Sequence, residues 1–296
     1  MIQRAVVILG SGYTAGFVLP LAARRHTPVL LTSRQPDKHL RYLPAESRIR
    51  FDLEQSDTWT NVPKKADLLW CFPAAPLNLV QQVASTMKLF SRRLVVLGST
   101  SAYDVGESQD YPPPWIDERA AIDSSKPRVR GEEYLRKDCG GIVLRVAGIY
   151  GPGRNPLDWI RQGRVGPSRK YVNLVHAEDL ASICLLALDK GKPGEVYNVS
   201  DGRPQTWNEI CATAAQRWGV TASAAQEHLS SGKRISNAKL RGELGYALRH
   251  PDLYDALALI ESADGVEAQD GQNGFQQGPK REGTGGVPFW GGRCDE

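Results

Sequence analysis

The chain of 296 residues lacks the marks of several common protein classes. Its five cysteines show neither a CxxC motif nor a Cys/His spacing typical of metal ligands, which excludes a zinc ribbon and disfavours a disulfide framework. The apolar runs fall far short of the roughly 18 residues that a membrane-spanning helix needs. Residues 1–9 lead straight into a glycine loop and do not read as a signal peptide. The sequence therefore predicts a cytoplasmic protein with no metal site and no membrane segment.

A strong charge of one sign is also missing. The 37 Lys+Arg against 33 Asp+Glu leave a formal charge of +4, whereas a nucleic-acid binder concentrates basic residues on one face. At roughly 150 residues per domain, the length allows one large or two modest domains. We therefore expect a small-molecule ligand and no nucleic acid.

Short apolar runs alternate with helical patterns from the N-terminus onward. The runs lie at residues 5–9, 29–31, 49–51, 68–72, 94–97, 141–146, 171–175 and 195–199. Runs this short and this continuously apolar are typical of strands buried on both faces of a parallel sheet. The pattern predicts an α/β fold with a doubly wound parallel sheet of the Rossmann type and a smaller C-terminal substrate lobe. We place the dinucleotide-binding domain at 1–172, the smaller lobe at 173–260, with some chain crossing between them, and a disordered tail at 261–296.

A glycine loop, GSGYTAG at residues 10–16, joins the first strand to the first helix. In a dinucleotide site the first glycine permits the tight turn, the second lets a diphosphate approach the backbone, and the helix N-terminus offers unpaired amides. We therefore predict cofactor contacts from five residues of this loop, Gly10, Ser11, Gly12, Tyr13 and Thr14. The alternative is an ordinary strand-to-helix turn.

The end of the second strand distinguishes the two nicotinamide cofactors. An NAD enzyme usually has an acidic residue there, but this chain has Thr32, Ser33 and Arg34. Hydroxyls and an arginine suit a 2′-phosphate, so the sequence favours NADP(H) over NAD(H). The alternative is that Arg34 is an ordinary solvated side chain.

Two further strand ends supply candidate cofactor contacts. Asp52 follows the third strand, where a carboxylate can accept from the adenine amine and Leu53 can pack on the ring; a plain turn aspartate is the alternative. Pro73 and Ala74 follow the fourth strand, where small residues and prolines let the backbone lie against the ribose.

Five motifs, in order along the chain, carry a resemblance to a known family. They are STSAYD (99–104), WIDE (115–118), RVAGIYGPGR (145–154), NLVHAEDL (173–180) and YNVSDG (197–202). Together with the glycine loop, they resemble the extended short-chain dehydrogenase/reductases of the epimerase/dehydratase branch over about residues 1–260. The resemblance implies NAD(P)-dependent chemistry on a sugar nucleotide or a similar small carbonyl or hydroxyl compound. It also implies pairing into a homodimer, a structural histidine at His176 and a helix-capping aspartate at Asp179.

The chain departs from this family at its catalytic pair. No Y-x-x-x-K motif is present; counting back from Glu132 puts Arg128 at the lysine position and Ser124 at the tyrosine position. Arginine can hold a ribose or a phosphate but, with a pKa above about 12, does not shuttle protons. The pattern resembles atypical members that keep the fold and lose the pair.

The resemblance leaves few groups to act on a substrate. We predict catalytic roles for Ser99, Tyr103 and Arg128, and substrate contacts from Tyr150 and Arg154. A turn serine, a packed tyrosine and a solvated basic loop are the respective alternatives for Ser99, Tyr150 and Arg154. Two functions remain open: an NADP(H)-dependent oxidoreductase or epimerase, and a non-catalytic NADP(H)-binding sensor or scaffold.

Overall fold

Strands and helices alternate along the chain in the computed structural model, which describes residues 5–89, 92–106, 108, 110–222 and 231–273. The strands are β1 (Val6–Leu9), β2 (Val29–Ser33), β3 (Arg48–Arg50), β4 (Asp67–Trp70), β5 (Leu94–Ser99), β6 (Trp115–Ile116), β7 (Ile142–Val146), β8 (Gly148–Tyr150), β9 (Tyr171–Val172), β10 (Leu174–His176), β11 (Val196–Val199), β12 (Gln205–Thr206) and β13 (Arg234–Ile235). The helices are α1 (Tyr13–Arg24), α2 (Pro36–His39), α3 (Leu77–Thr86), α4 (Pro127–Lys137), α5 (Pro156–Arg161), α6 (Ala177–Lys190), α7 (Trp207–Trp218) and α8 (Leu253–Asn273).

A seven-stranded parallel sheet forms the centre of the fold, with the strand order β3-β2-β1-β4-β5-β7-β11. Its inner strands are apolar on both faces; β1, for example, is buried along its whole length. The doubly wound Rossmann-type prediction is confirmed. The strand order reverses between β1 and β4, and sheets of this kind bind ligands at that crevice, outside the carboxyl ends of the strands.

Helices cover both faces of the sheet. On one face α1 packs beside α6, and Val18, Leu180 and Cys184 belong to the same apolar cluster as Ile8 of β1. On the other face α3 packs beside α4, and Val83 and Leu135 join a second cluster. The two helix layers therefore cover the two faces of the sheet.

A third apolar cluster lies outside the central sheet. Tyr150, Leu174, Trp207 and Leu257 belong to it, and β8 pairs with β10 beside it. The run at 171–175, which predicts one strand, forms the two short strands β9 and β10. Within the segment 173–260, α6 and β11 belong to the central sheet and its covering layer. The chain therefore returns to the first domain inside that segment, and the boundary between two lobes stays a prediction.

The end of the described chain is helical. Helix α8 continues to Asn273 and so includes the first residues of the segment 261–296, for which the sequence predicts a disordered tail. Residues 274–296 lie outside the described residues. Among the helices that are described, none has the length and apolarity needed to cross a membrane.

Candidate functional site

The glycine loop presents the N-terminus of α1 at the carboxyl end of β1. Gly10 has φ +98°, a left-handed conformation that favours glycine, and its amide donates to Thr32 Oγ1 at 2.9 Å. Gly12 is the N-cap of α1 in extended conformation, with no side chain to satisfy the first amides of the helix. A Cβ atom on Gly12 would have no protein atom within 4 Å, so the space before the helix is open. This geometry suits an anion bound at the helix N-terminus.

A cavity of about 320 Å³ opens at this point. Seven of the residues predicted from the sequence line it: Gly12, Tyr13, Thr14, Pro73, Ser99, Arg128 and Arg154. The cavity lies between the ends of β1, β4 and β5, at the point where the strand order reverses. Its described lining contains two arginines and no carboxylate, so with the positive end of α1 it attracts anions.

Arg154 and Tyr13 form one wall of the cavity. The Arg154 guanidinium lies 5.1 Å from the centroid of the Tyr13 ring, and the Tyr13 hydroxyl donates to the Pro152 carbonyl at 3.0 Å. Burial raises the pKa of Tyr13 to about 12, with Arg154 opposing the rise. The phenol therefore stays protonated near neutrality and serves to hold the 152–154 turn against the glycine loop.

Arg128 faces the cavity from the first turn of α4. Its Nε donates to Glu132 Oε1 at 3.1 Å, one helical turn further on. Glu132 is buried, and burial raises the pKa of its carboxyl despite the nearby Arg128. Glu132 was not predicted as a site residue; a carboxylate four residues after an arginine on a helix is the sequence signal that could have marked it.

Ser99 is placed for both roles that the sequence left open, a turn serine and a residue of the ligand site. It lines the cavity, and its Oγ accepts from the Ser101 amide at 3.1 Å, which caps the 3₁₀ turn Thr100–Tyr103. A hydroxyl that accepts from an amide still has its own proton to donate. Ser99 is therefore able to donate to a ligand oxygen in the cavity.

Tyr103 is not among the residues that line the cavity, and its catalytic role stays a prediction. Tyr103 ends the 3₁₀ turn; its hydroxyl donates to Asn198 Oδ1 at 2.7 Å and accepts from Arg145 Nη1 at 3.0 Å. The side chain is buried, and burial raises its pKa. Tyr103 is part of the internal packing between β7 and β11.

Tyr150 is also outside the cavity, so the packed-tyrosine alternative describes it better than substrate contact. It is fully buried in the third apolar cluster, its ring meets the His176 ring edge-on at 5.2 Å, and burial raises its pKa. Its hydroxyl has no hydrogen-bond partner among the described residues.

Of the other predicted cofactor residues, some have side chains that are hydrogen-bonded within turns, and others have exposed side chains. Ser33 Oγ bonds with His39 Nδ1 at 3.0 Å and accepts from the Gln35 amide, so it is committed to the turn after β2. Asp52 Oδ1 accepts from the Glu54 amide at 3.0 Å, the turn role that the sequence left open. Ser11 and Arg34 are exposed.

Leu53 and Ala74 serve mainly in packing. Leu53 is partly buried against the second apolar cluster. Ala74 is buried, and its carbonyl oxygen lies against Gly131 of α4. Cys71 and Phe72, which the sequence analysis did not single out, line the cavity instead.

His176 and Asp179 hold the start of α6. His176 Nδ1 accepts from the Glu178 amide at 3.3 Å, a backbone contact as the resemblance implies. Asp179 does not cap α6; its carboxylate accepts from the Tyr246 hydroxyl and from the amides of Arg249 and His250. That carboxylate ties the 246–250 loop to the helix.

His176, Glu178 and His250 come close enough to raise the question of a metal ion, because their ligand atoms lie within 4.8 Å of one another. The two imidazole rings, however, are in tilted contact, with centroids 3.8 Å apart and planes at 38°. Two histidines on one ion, each with its nitrogen about 2.1 Å from the metal, would have ring centres further apart than this. The cluster is a histidine ring pair with a His250–Glu178 contact at 2.9 Å.

A larger cavity of about 570 Å³ lies beside β11 and the second half of α4. Its charged side chains are largely paired with one another: Glu133 with Arg136 and Arg145, Glu195 with Lys239, and Asp117 with Arg119. Because these pairs neutralise the lining, we place the anion site in the smaller cavity.

Comparison with solved structures supports the fold around this site. A short-chain dehydrogenase/reductase superfamily protein from Agrobacterium tumefaciens, with bound NAD, superposes with a TM-score of 0.74 at 13% identity and covers 91% of this chain and 100% of that one. The chain shares the fold of this protein. UDP-glucose 4-epimerase from Thermotoga maritima, with UDP-glucose, has a TM-score of 0.69 at 16% identity, covering 89% of this chain and 100% of that one. UDP-N-acetylglucosamine 4-epimerase from Methanobrevibacter ruminantium has a TM-score of 0.69 at 14% identity; the match covers 91% of this chain and 100% of that one.

Sequence comparison reaches less of the chain. Protein YeeZ from Escherichia coli is 30% identical over 165 residues, which are 54% of this chain and 59% of that protein. The match thus spans about three fifths of the length of this curated relative. No family model matches the sequence.

Proposed function

We propose that the chain is an atypical extended short-chain dehydrogenase/reductase that binds NADP(H) and acts on a carbonyl or hydroxyl group of a sugar nucleotide or a similar small metabolite. The observation that carries the proposal is the cavity at the N-terminus of α1, which has two arginines and no carboxylate in its described lining. Gly12 leaves room there for a diphosphate, and a bound nicotinamide supplies hydride chemistry. Cytoplasmic location, homodimer formation and closure of a smaller lobe over the substrate are parts of this proposal.

The preference for NADP(H) rests on Arg34. Thr32 and Ser33 are buried, and Ser33 Oγ also bonds with His39 Nδ1, so the 2′-phosphate would depend on the exposed Arg34. The next carboxylate along the chain, Asp37, lies 3.9 Å from Arg48. A positive side chain and no acidic one at the end of β2 favour a phosphate over a free hydroxyl.

We expect Arg34→Ala to weaken NADPH binding by about tenfold or more while changing NADH binding by less than about twofold, because only NADPH carries the 2′-phosphate. Fluorescence titrations with both nucleotides measure this. Lys65→Ala removes the same charge from an exposed site just before the amino-terminal end of β4, away from the carboxyl ends of the strands, and serves as the control. Equal losses for NADPH and NADH would refute the assignment of Arg34 to the 2′-phosphate.

Turnover without a Tyr/Lys pair would depend on Ser99. Its hydroxyl is able to orient a substrate oxygen, while Arg128 holds an anionic part of the ligand. We therefore expect Ser99→Ala to lower any rate of NADPH oxidation by about 100-fold with little change in NADPH affinity. Single-turnover absorbance measurements with a panel of keto-sugars and keto-sugar nucleotides check this, and a rate that survives the substitution would remove Ser99 from the reaction.

A second function, NADP(H) binding without turnover, is favoured by one observation. The phenol and the thiol that line the cavity, Tyr13 and Cys71, both have pKa values raised to about 12 by burial. A general acid or base works best with a pKa near the operating pH, and neither group meets this condition. Tight NADPH binding with no oxidation by any member of the panel would favour this sensor or scaffold function.

A further inference from the structure

Glu132 occupies an unusual position for a carboxylate. It lies inside α4 with 1% of its surface exposed, and one oxygen, Oε1, accepts from Arg128 Nε at 3.1 Å. The other oxygen, Oε2, has no hydrogen-bond partner among the described residues. A buried carboxylate is costly unless it is paired, so its ion pair with Arg128, the one it makes within the described part of the chain, matters for both side chains.

The space that holds this carboxylate exists because residue 98 is glycine. A Cβ atom on Gly98 would lie 2.6 Å from Glu132 Oε2 and 2.9 Å from its Cδ. Gly98 is the penultimate residue of β5 and lines the cavity, directly before Ser99. The Glu132 carboxylate therefore lies next to Gly98 and Arg128, two residues that line the cavity.

The charges around Glu132 come from two elements. Arg128 and Glu133 are on its own helix, and Arg145 approaches from β7. Arg145 is already paired with Glu133 at 3.1 Å and bonded to the Tyr103 hydroxyl. Arg145 Nε has no hydrogen-bond partner among the described residues, but the ion pair that Glu132 makes within them is with Arg128.

The contact leaves most of the Arg128 guanidinium available. Glu132 takes the Nε–H, and the terminal amino groups of Arg128 have no hydrogen-bond partner within the described residues. A guanidinium has five N–H donors in a fixed planar fork, so fixing Nε also fixes the direction of the other four.

We propose that Glu132 is a positioning residue of the anion site: by holding Arg128 Nε from the slot beside Gly98, it directs the terminal amino groups of Arg128 at a phosphate in the cavity. This inference rests on the proposed function, because it takes the cavity to be a nucleotide site. It assigns a role to a residue that itself makes no contact with the ligand.

Two variants of Glu132 separate the effect of its side-chain length from the effect of its charge. Glu132→Gln keeps an oxygen at the same distance along the side chain but loses the charge, whereas Glu132→Asp keeps the charge and withdraws it by one methylene group. If positioning matters, we expect the glutamine variant to bind NADPH within about threefold of the wild type and the aspartate variant to bind about tenfold more weakly. If Glu132 acts only as a buried counter-charge, the order of the two variants reverses, which would overturn the proposal.

The NADPH affinities of Glu132→Gln and Glu132→Asp, measured again in proteins that also carry Arg128→Gln, show whether Glu132 acts through Arg128. We expect Glu132→Asp to add less than about twofold to the loss there, because the group that it positions is gone. An undiminished loss in that background would indicate general disruption of the fold and contradict the inference.

Inorganic pyrophosphate, titrated in parallel with NADPH, keeps the two proposals apart. One outcome is that the protein does not bind NADPH, but Glu132→Gln binds pyrophosphate more tightly than Glu132→Asp does. That outcome would support the role of Glu132 and refute the nucleotide function. NADPH binding that is equal in all the Glu132 variants would refute the role of Glu132 alone. A wild-type protein that binds neither ligand would overturn both.

Discussion

Replacing Gly12 by aspartate is expected to abolish nucleotide binding while leaving the fold at least as stable as before. Gly12 has φ −79° and ψ −171°, which any residue can adopt, and a Cβ there meets no protein atom within 4 Å. Aspartate is a favoured N-cap, so α1 should gain a few tenths of a kcal/mol to about 1 kcal/mol. The same carboxylate would occupy the place of a diphosphate and repel it. We expect the NADPH affinity to fall at least about 100-fold, which corresponds to about 3 kcal/mol.

Gly12→Asn is the matched control, because asparagine has nearly the same shape and also caps helices but carries no charge. We expect it to bind NADPH more weakly than the wild type and more tightly than Gly12→Asp. The difference between the two measures the repulsion of a negative ligand. Calorimetric titrations give the affinities, and thermal unfolding gives the stabilities. Wild-type affinity in the aspartate variant would mean that the nucleotide does not lie at this helix.

Gly131→Ala is expected to cause the largest loss of stability among the substitutions considered. A Cβ atom on Gly131 would overlap the carbonyl oxygen of Ala74 and lie 2.8 Å from its carbonyl carbon. Both contacts are with backbone, so α4 or the segment after β4 must move, and no rotamer change can relieve the clash. Overpacking of this kind typically costs about 1–3 kcal/mol and can exceed that when backbone is involved. We expect about 3 kcal/mol lost from the free energy of unfolding, measured in urea.

Gly16→Ala on α1 is the corresponding control. A Cβ there meets no atom within 4 Å, and alanine in a helix is favoured over glycine by about 0.5–1 kcal/mol. This variant should therefore unfold at a slightly higher urea concentration than the wild type. If Gly131→Ala were as stable as Gly16→Ala, α4 would not pack on the Ala74 carbonyl, and the placement of Arg128 would lose its support.

The parts of the structure that follow from local sequence were predictable. A run such as VVIL at β1 is apolar at every position and too short for a helix, so its place in a buried parallel sheet is readable from sequence. The loop at residues 10–16 likewise has a glycine where the backbone takes φ +98°. Each of these features depends on residues within a few positions of one another.

The site residues whose placement depends on distant contacts were harder to predict. Tyr103 follows a strand that ends at the cavity, yet its hydroxyl bonds with Arg145 and Asn198, which are 42 and 95 residues away along the chain. Tyr150 lies in the apolar cluster that α7 and α8 complete. The spacing of Arg128 and Glu132 on α4 is readable from sequence, but the contact of Glu132 with Gly98 of β5 is not. No periodicity in the sequence encodes such pairings between elements.

The claim on which the account depends is that the amides of α1 and the two arginines of the cavity bind the phosphates of a pyridine nucleotide. Calorimetric titration of the wild-type chain and of Gly12→Asp with NADPH, side by side, tests it most directly. We expect saturable heat with one nucleotide per wild-type chain and none with the variant. Absence of heat from the wild type with both NADPH and NADH would contradict it.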